Sequence, residues 1–184
     1  MRAVLLEVPE QMLAERRRLG LDGRDELWDG ELHMAPPPGE RHQRIGSDLL
    51  VALSPVVRRL GLVATYETGL FRAGDDYRVP DLVVTRPDQR SERGAESAEL
   101  VVELRSPDDE TYAKLPFYAA LGVREVVVVH PDDRRVELFR LAGDRLLPVT
   151  GDAAGAVRSD VLGVQLRTGD GALHLAWDGG SATV

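Results

Sequence analysis

Two short stretches, ELVVEL and VREVVVVHP, constrain this chain more than anything else in it. Each is an almost wholly apolar run of strand length, the pattern of a strand covered on both faces. Strands of that kind need a layer above and a layer below, so the chain is expected to fold as a mixed α/β layered domain. Between them, residues 106–121 read as helical, with Ser106 or Asp108 as N-cap and Gly122 as stop. Pro116 should divide that region into a turn and then a helix.

The remaining segments supply the layers. Met12, Leu13, Arg16 and Leu19 recur at helical spacing over residues 9–19 and predict a short surface helix ending at Gly20. In ELWDGELHM, Asp29-Gly30 between two half-apolar runs is a two-residue hairpin signal. Residues 36–39 (PPPG) form a rigid connection. Over residues 40–60, Ile45, Leu49, Leu53, Val56, Val57 and Leu60 share one face, which makes this the main core helix, with a kink expected at Pro55. LVATYE and YRVPDLVVT read as strands around a turn at 73–76, residues 86–97 as a polar loop, and RRVELFRL with RLLPVT as an exposed hairpin. The stretch from residue 157 to 180 is weakly patterned and either closes over the core or frays.

Composition narrows the function. The 184 residues carry 23 Lys plus Arg against 31 Asp plus Glu, a net charge of −8, so bulk attraction to phosphate is excluded and only a local basic groove could hold nucleic acid. With no cysteine, disulfides, thiolate metal sites and thiol nucleophiles are excluded as well. No run approaches the roughly 18 apolar residues of a membrane helix and no signal-peptide core is visible, so a soluble cytoplasmic protein of one domain is expected. Phosphate-cradling glycine loops, HExxH, the nucleophile elbow and the dinucleotide fingerprint are all missing.

Two acids sit in strands built to be buried: Asp81, directly after Pro80, and Glu103, near the end of LVVEL. Alternation puts Val101, Glu103 and Arg105 on one face. A carboxylate desolvated there needs a partner. That partner is either an arginine, Arg105 or Arg78, or a Mg²⁺ or Mn²⁺ ion shared with Asp81. Lys114 and Tyr118, four residues apart, share a helical face, and an ammonium there could stabilise charge on a bound phosphate. His42 opens the long helix, where it could meet an acid or a substrate phosphate. Glu31 and Glu40 are candidates for a third acid.

The ordered set DGELHM, ERHQRI, VPDLVV, LVVELRSP and KLPFYAALGVREVVVVHP, over residues 20–165, resembles the Uma-two family, a branch of the PD-(D/E)XK restriction-endonuclease-like superfamily. The resemblance implies a mixed central sheet flanked by helices, with an N-terminal helix and hairpin, and a metal-dependent endonuclease acting on nucleic acid, DNA before RNA. It places the metal on Asp81 and Glu103. The superfamily's lysine two residues after the second acid is Arg105 here, which stays protonated and can only stabilise charge. The family's lysine on the next helix matches Lys114, with Tyr118 beside it; Glu31 matches a hairpin acid and His42 a helix-start histidine. On this reading Asp81, Glu103, Lys114 and Glu31 are catalytic, and His42, Arg105 and Tyr118 contact substrate. The alternative is a nuclease-fold module without turnover that binds protein or nucleic acid. The apolar strands and the RRVELFRL hairpin could also support a homodimer.

Overall fold

The computed structural model describes residues 3–6, 9–20, 22–34, 37–106 and 110–184. Its first half runs β1 (Ala3–Leu5), α1 (Glu10–Arg18), β2 (Glu26–Trp28), β3 (Glu31–Met34), α2 (Glu40–Arg59), β4 (Val63–Tyr66), β5 (Leu70–Ala73), β6 (Asp76–Arg78) and β7 (Leu82–Thr85). Next come β8 (Arg90–Ser91), β9 (Gly94–Ala95), β10 (Leu100–Leu104), a 3₁₀ turn (Thr111–Lys114), α3 (Leu115–Ala120) and β11 (Glu125–Val129). The last strands are β12 (Val136–Ala142), β13 (Arg145–Pro148), β14 (Val157–Arg158), β15 (Gln165–Gly169), β16 (Ala172–Trp177) and β17 (Gly180–Thr183).

Three sheets result. The central one has the order β13-β12-β11-β10-β7-β4, and only its β10–β11 pair is parallel. A second sheet of seven short strands has the order β1-β3-β2-β6-β5-β9-β8, and a third is the antiparallel ribbon β14-β15-β16-β17. The hairpin between β2 and β3 turns on Asp29 and Gly30, both at positive φ (49° and 91°), as a primed two-residue turn demands.

Alternation along β7, β10 and β11 sends side chains to both faces of the central sheet, and each face has its own core. Leu82, Val84, Leu100, Val102 and Val127 pack on the apolar stripe of α2 and on Leu166, Leu173 and Leu175 of the third sheet. Val83, Val101, Val126 and Val128 pack on Phe117 and Tyr118 of α3 and on Leu70 and Ala95 of the second sheet. The expected coverage of ELVVEL and VREVVVVHP on both sides is therefore met, by a sheet and a helix on each face.

Three expectations need correction. YRVPDLVVT is not one strand: Pro80 has no N–H to donate and holds Val79 extended, so the chain leaves the second sheet after Arg78 and enters the central sheet at Leu82. Leu70–Ala73 adds a strand, and the loop at 86–97 contains the short hairpin β8–β9. As expected, the long helix includes Pro55, and it ends at Arg59. The C-terminal stretch does close over the core, as the third sheet. Pro116 falls in the first turn of α3, where its missing N–H is harmless. Pro36 and Asp108 lie outside the described residues. Among the described residues no helix is long and apolar enough to cross a membrane.

Candidate active site

The antiparallel register of β7 and β10 pairs Val83 with Val101 and Leu82 with Val102. Continued one residue past its last pair, this register brings Asp81, just before β7, opposite Glu103 on the face that carries Val83 and Val101, and the charge of Asp81 acts on Glu103. The two acids thus meet across adjacent strands by register alone.

Asp81 is held at both oxygens. Oδ2 accepts the Leu104 N–H at 2.6 Å, and Oδ1 accepts from His42 Nε2 at 2.7 Å. His42 is brought there by the first turn of α2. Burial, the largest single influence, works against its charged form, but the bond to Asp81 together with the charges of Asp81 and Glu67 outweighs it and raises the imidazole pKa above its usual value.

Glu103 is engaged at Oε1, by the Tyr118 hydroxyl and by Lys114 Nζ at 3.2 Å. Lys114 also bonds to Glu26 Oε1 at 2.7 Å. Glu26 in turn accepts the Val79 N–H at 3.0 Å and the Trp28 indole N–H at 2.8 Å. None of Glu26, Asp81, Glu103, Lys114 and Tyr118 is more than 6% exposed. Burial pushes the Glu103 carboxyl up to about 7; Lys114 pulls it down, while Asp81 and Glu26 add to the rise. Burial and the neighbouring Glu103 also drive the Tyr118 hydroxyl well above its usual value, so it stays a donor.

Of the residues singled out in the sequence, the structure brings together Asp81, Glu103, Lys114, Tyr118 and His42. It does not bring Glu31 to them. Glu31 is exposed, pairs with Trp28 across the hairpin, and lines a separate cavity of about 420 Å³ with Arg72 and Phe117. The hairpin acid in the cluster is Glu26, which sequence reasoning missed; its one signal is a charge opening the apolar ELW strand. Glu40 is exposed on α2 and lies 3.7 Å from Arg44. Arg105 stacks its guanidinium 5.0 Å from the Tyr112 ring, and Arg78 pairs with Asp76 at 2.9 Å between the rings of Trp28 and Phe117. The arginine partner considered for Glu103 is therefore corrected to a lysine and a tyrosine.

Glu26 and Glu103 share Lys114, and Asp81, held by His42 and the Leu104 N–H, adds a third carboxylate whose charge acts on Glu103, a concentration of acids that a hard divalent cation would offset. Asp81 and Glu103 are the donors of suitable chemistry. Among the described residues no three His, Asp or Glu side chains are spaced as a ready-made cage. The fit is that of a two-carboxylate site.

Residues 10–169 match the model of the Uma2 family, described as "Putative restriction endonuclease". The chain belongs to the Uma2 family. A solved structure of "a putative nuclease belonging to DUF820" from Anabaena variabilis ATCC 29413 is similar at a TM-score of 0.61 and 20% identity, over 75% of this chain and 82% of that one. No curated protein matches. The three-sheet architecture described above is accordingly a restriction-endonuclease-like fold, as expected for Uma2.

Proposed function

We propose that this Uma2 protein is a divalent-metal-dependent endonuclease that hydrolyses phosphodiester bonds in nucleic acid, DNA in preference to RNA. The observation that carries the reading is the cross-strand pair Asp81 and Glu103 with Lys114 Nζ 3.2 Å from the second acid. Mg²⁺ or Mn²⁺ would be held by Asp81 and Glu103 and would supply Lewis acidity and water activation when bound.

The chain's own groups do the rest. His42 and the Leu104 N–H fix the rotamer of Asp81, so its oxygens cannot swing away. Glu26 anchors the far side of Lys114, which keeps the ammonium over Glu103, where it offsets charge that develops on the phosphoryl oxygens. Arg105, one residue past β10 and stacked on Tyr112, would serve as a cation for the substrate backbone. Tyr118 donates to Glu103 and holds its head group in place.

The test uses purified full chain with supercoiled DNA and with RNA, in Mg²⁺, in Mn²⁺ and in EDTA. Cleavage that needs the cation and is lost in both Asp81→Asn and Glu103→Gln is the expected result. The absence of both cation binding and cleavage, with every DNA and RNA form, would overturn it. One observation favours a binding module without turnover: Lys114 is already committed to two carboxylates. That reading predicts nucleic-acid binding unchanged in the same two variants.

A further inference from the structure

Beside the acid pair lies a second cavity of about 360 Å³, between edge strand β4 and the β8–β9 hairpin. It is continuous with the site through the backbone. Thr65 pairs with Val83, and the Glu67 N–H donates to the Asp81 carbonyl at 2.9 Å. Alternation along β7 puts Thr85 on the same face as Asp81, four residues away, or about 13 Å at the usual rise of a strand.

The lining has the chemistry of an oxyanion seat. Thr65, Thr85 and Ser91 contribute hydroxyls, and Arg90 and Arg93 stand over them from the hairpin. Thr85 is 1% exposed, and its hydroxyl has no hydrogen-bond partner among the described residues, so the floor holds an unspent polar group. Arg93 is steadied by its guanidinium lying 4.6 Å from the Phe71 ring, a contact that leaves its charge intact. Neither arginine pairs with a described carboxylate. Two acids also line the cavity: Glu67 is drawn off by Arg24 at 3.2 Å and Gln43 at 2.9 Å, while Glu92 is exposed at the rim.

The geometry points to this cavity as a seat for a phosphodiester of the DNA backbone, on one side of the bond held at Asp81 and Glu103. The inference rests on the nuclease reading. It gives an acidic chain the local cationic contact that its net charge denies it, since guanidinium and hydroxyl donors suit non-bridging phosphate oxygens.

Binding of a fluorescein-labelled DNA duplex is measured in EDTA by anisotropy across a salt series, so that cleavage plays no part. The double variant Arg90→Ala/Arg93→Ala should weaken binding about tenfold or more and lower the slope of log K against log salt by about two. The double variant Arg17→Ala/Arg18→Ala, which removes the same charge from α1, should leave the slope nearly unchanged. Thr85→Val, close in shape, should weaken binding several-fold at an unchanged melting temperature. Equal losses in both arginine pairs, unchanged affinity in the hairpin pair, or no duplex binding by the wild type would each overturn the inference. A wild type that never cleaves, while the hairpin variants still lose affinity, sinks the nuclease reading and keeps the seat. Metal-dependent cleavage with hairpin variants that bind like the wild type does the reverse.

Discussion

Glu103 and Glu125 are buried glutamates on neighbouring parallel strands, and they have opposite fates. Glu125 opens β11 on the face toward the third sheet. It accepts from Arg140 at 2.9 Å, from the Ser159 hydroxyl at 2.5 Å, and from the Asp160 and Val161 N–H groups at 2.9 and 3.3 Å. Every partner is a donor, two of them fixed in the backbone, so the carboxylate is fully compensated and ties the third sheet to the central one. Glu103 lies at the other end of the sheet on the other face, and shares one lysine with Glu26 while facing Asp81. Burial of an acid is therefore not by itself a sign of function. The sign is burial among like charges.

That contrast can be broken experimentally. The largest effect is expected on cleavage: Glu103→Gln should lower the rate on the order of a hundredfold or more, because several kcal/mol of transition-state stabilisation depends on the pair of carboxylates. Glu125→Gln should leave the rate per folded molecule intact. Stability should show the converse. Glu125→Ala strands the buried Ser159 hydroxyl and two N–H groups and takes one of two carboxylates from Arg140, which keeps Asp160 at 3.0 Å, a loss of roughly 3–5 kcal/mol that thermal melting reads as a fall of about 6–20 °C.

A third test is the pH dependence of stability without divalent cations. The Glu103 carboxyl has its pKa raised from 4.5 to about 7, so between those values the folded chain keeps a proton that the unfolded chain releases. Its stabilising contribution is complete below about 4.5 and is lost as pH rises through about 7. Glu103→Gln mimics the protonated form. It should therefore gain on the wild type between pH 5 and 8, by up to about 3 kcal/mol. A gap that does not widen with pH would show Glu103 to be as well compensated as Glu125. The smallest effect is on ligand-linked stability: Mg²⁺ or Mn²⁺ at ten to a hundred times its Kd should raise wild-type stability by about 1–3 kcal/mol and leave Glu103→Gln unmoved.

How far the sequence reveals this arrangement depends on the range of the contacts. Alternation in LVVEL puts Glu103 on its face, and Pro80 marks where Asp81 enters the sheet; both signals are local, and both acids are legible. Glu26 is not, because its role comes from Lys114, 88 residues away. Glu125 is concealed in the same way, its partners lying 15 to 36 residues further on. The third sheet had a local signal that a weak overall pattern obscured: Leu173 and Leu175 alternate after a turn in which Asp170 and Gly171 both take positive φ.

The passage from β6 to β7 takes only residues 79 to 81, and both of its ends are fastened by acids: Glu26 holds the Val79 N–H, and Asp81 holds the Leu104 N–H. The groups assigned to chemistry are thus also the stitches of the seam between two sheets. A lineage that abandoned cleavage could not shed these acids freely, since the scaffold would keep selecting them after the reaction had gone.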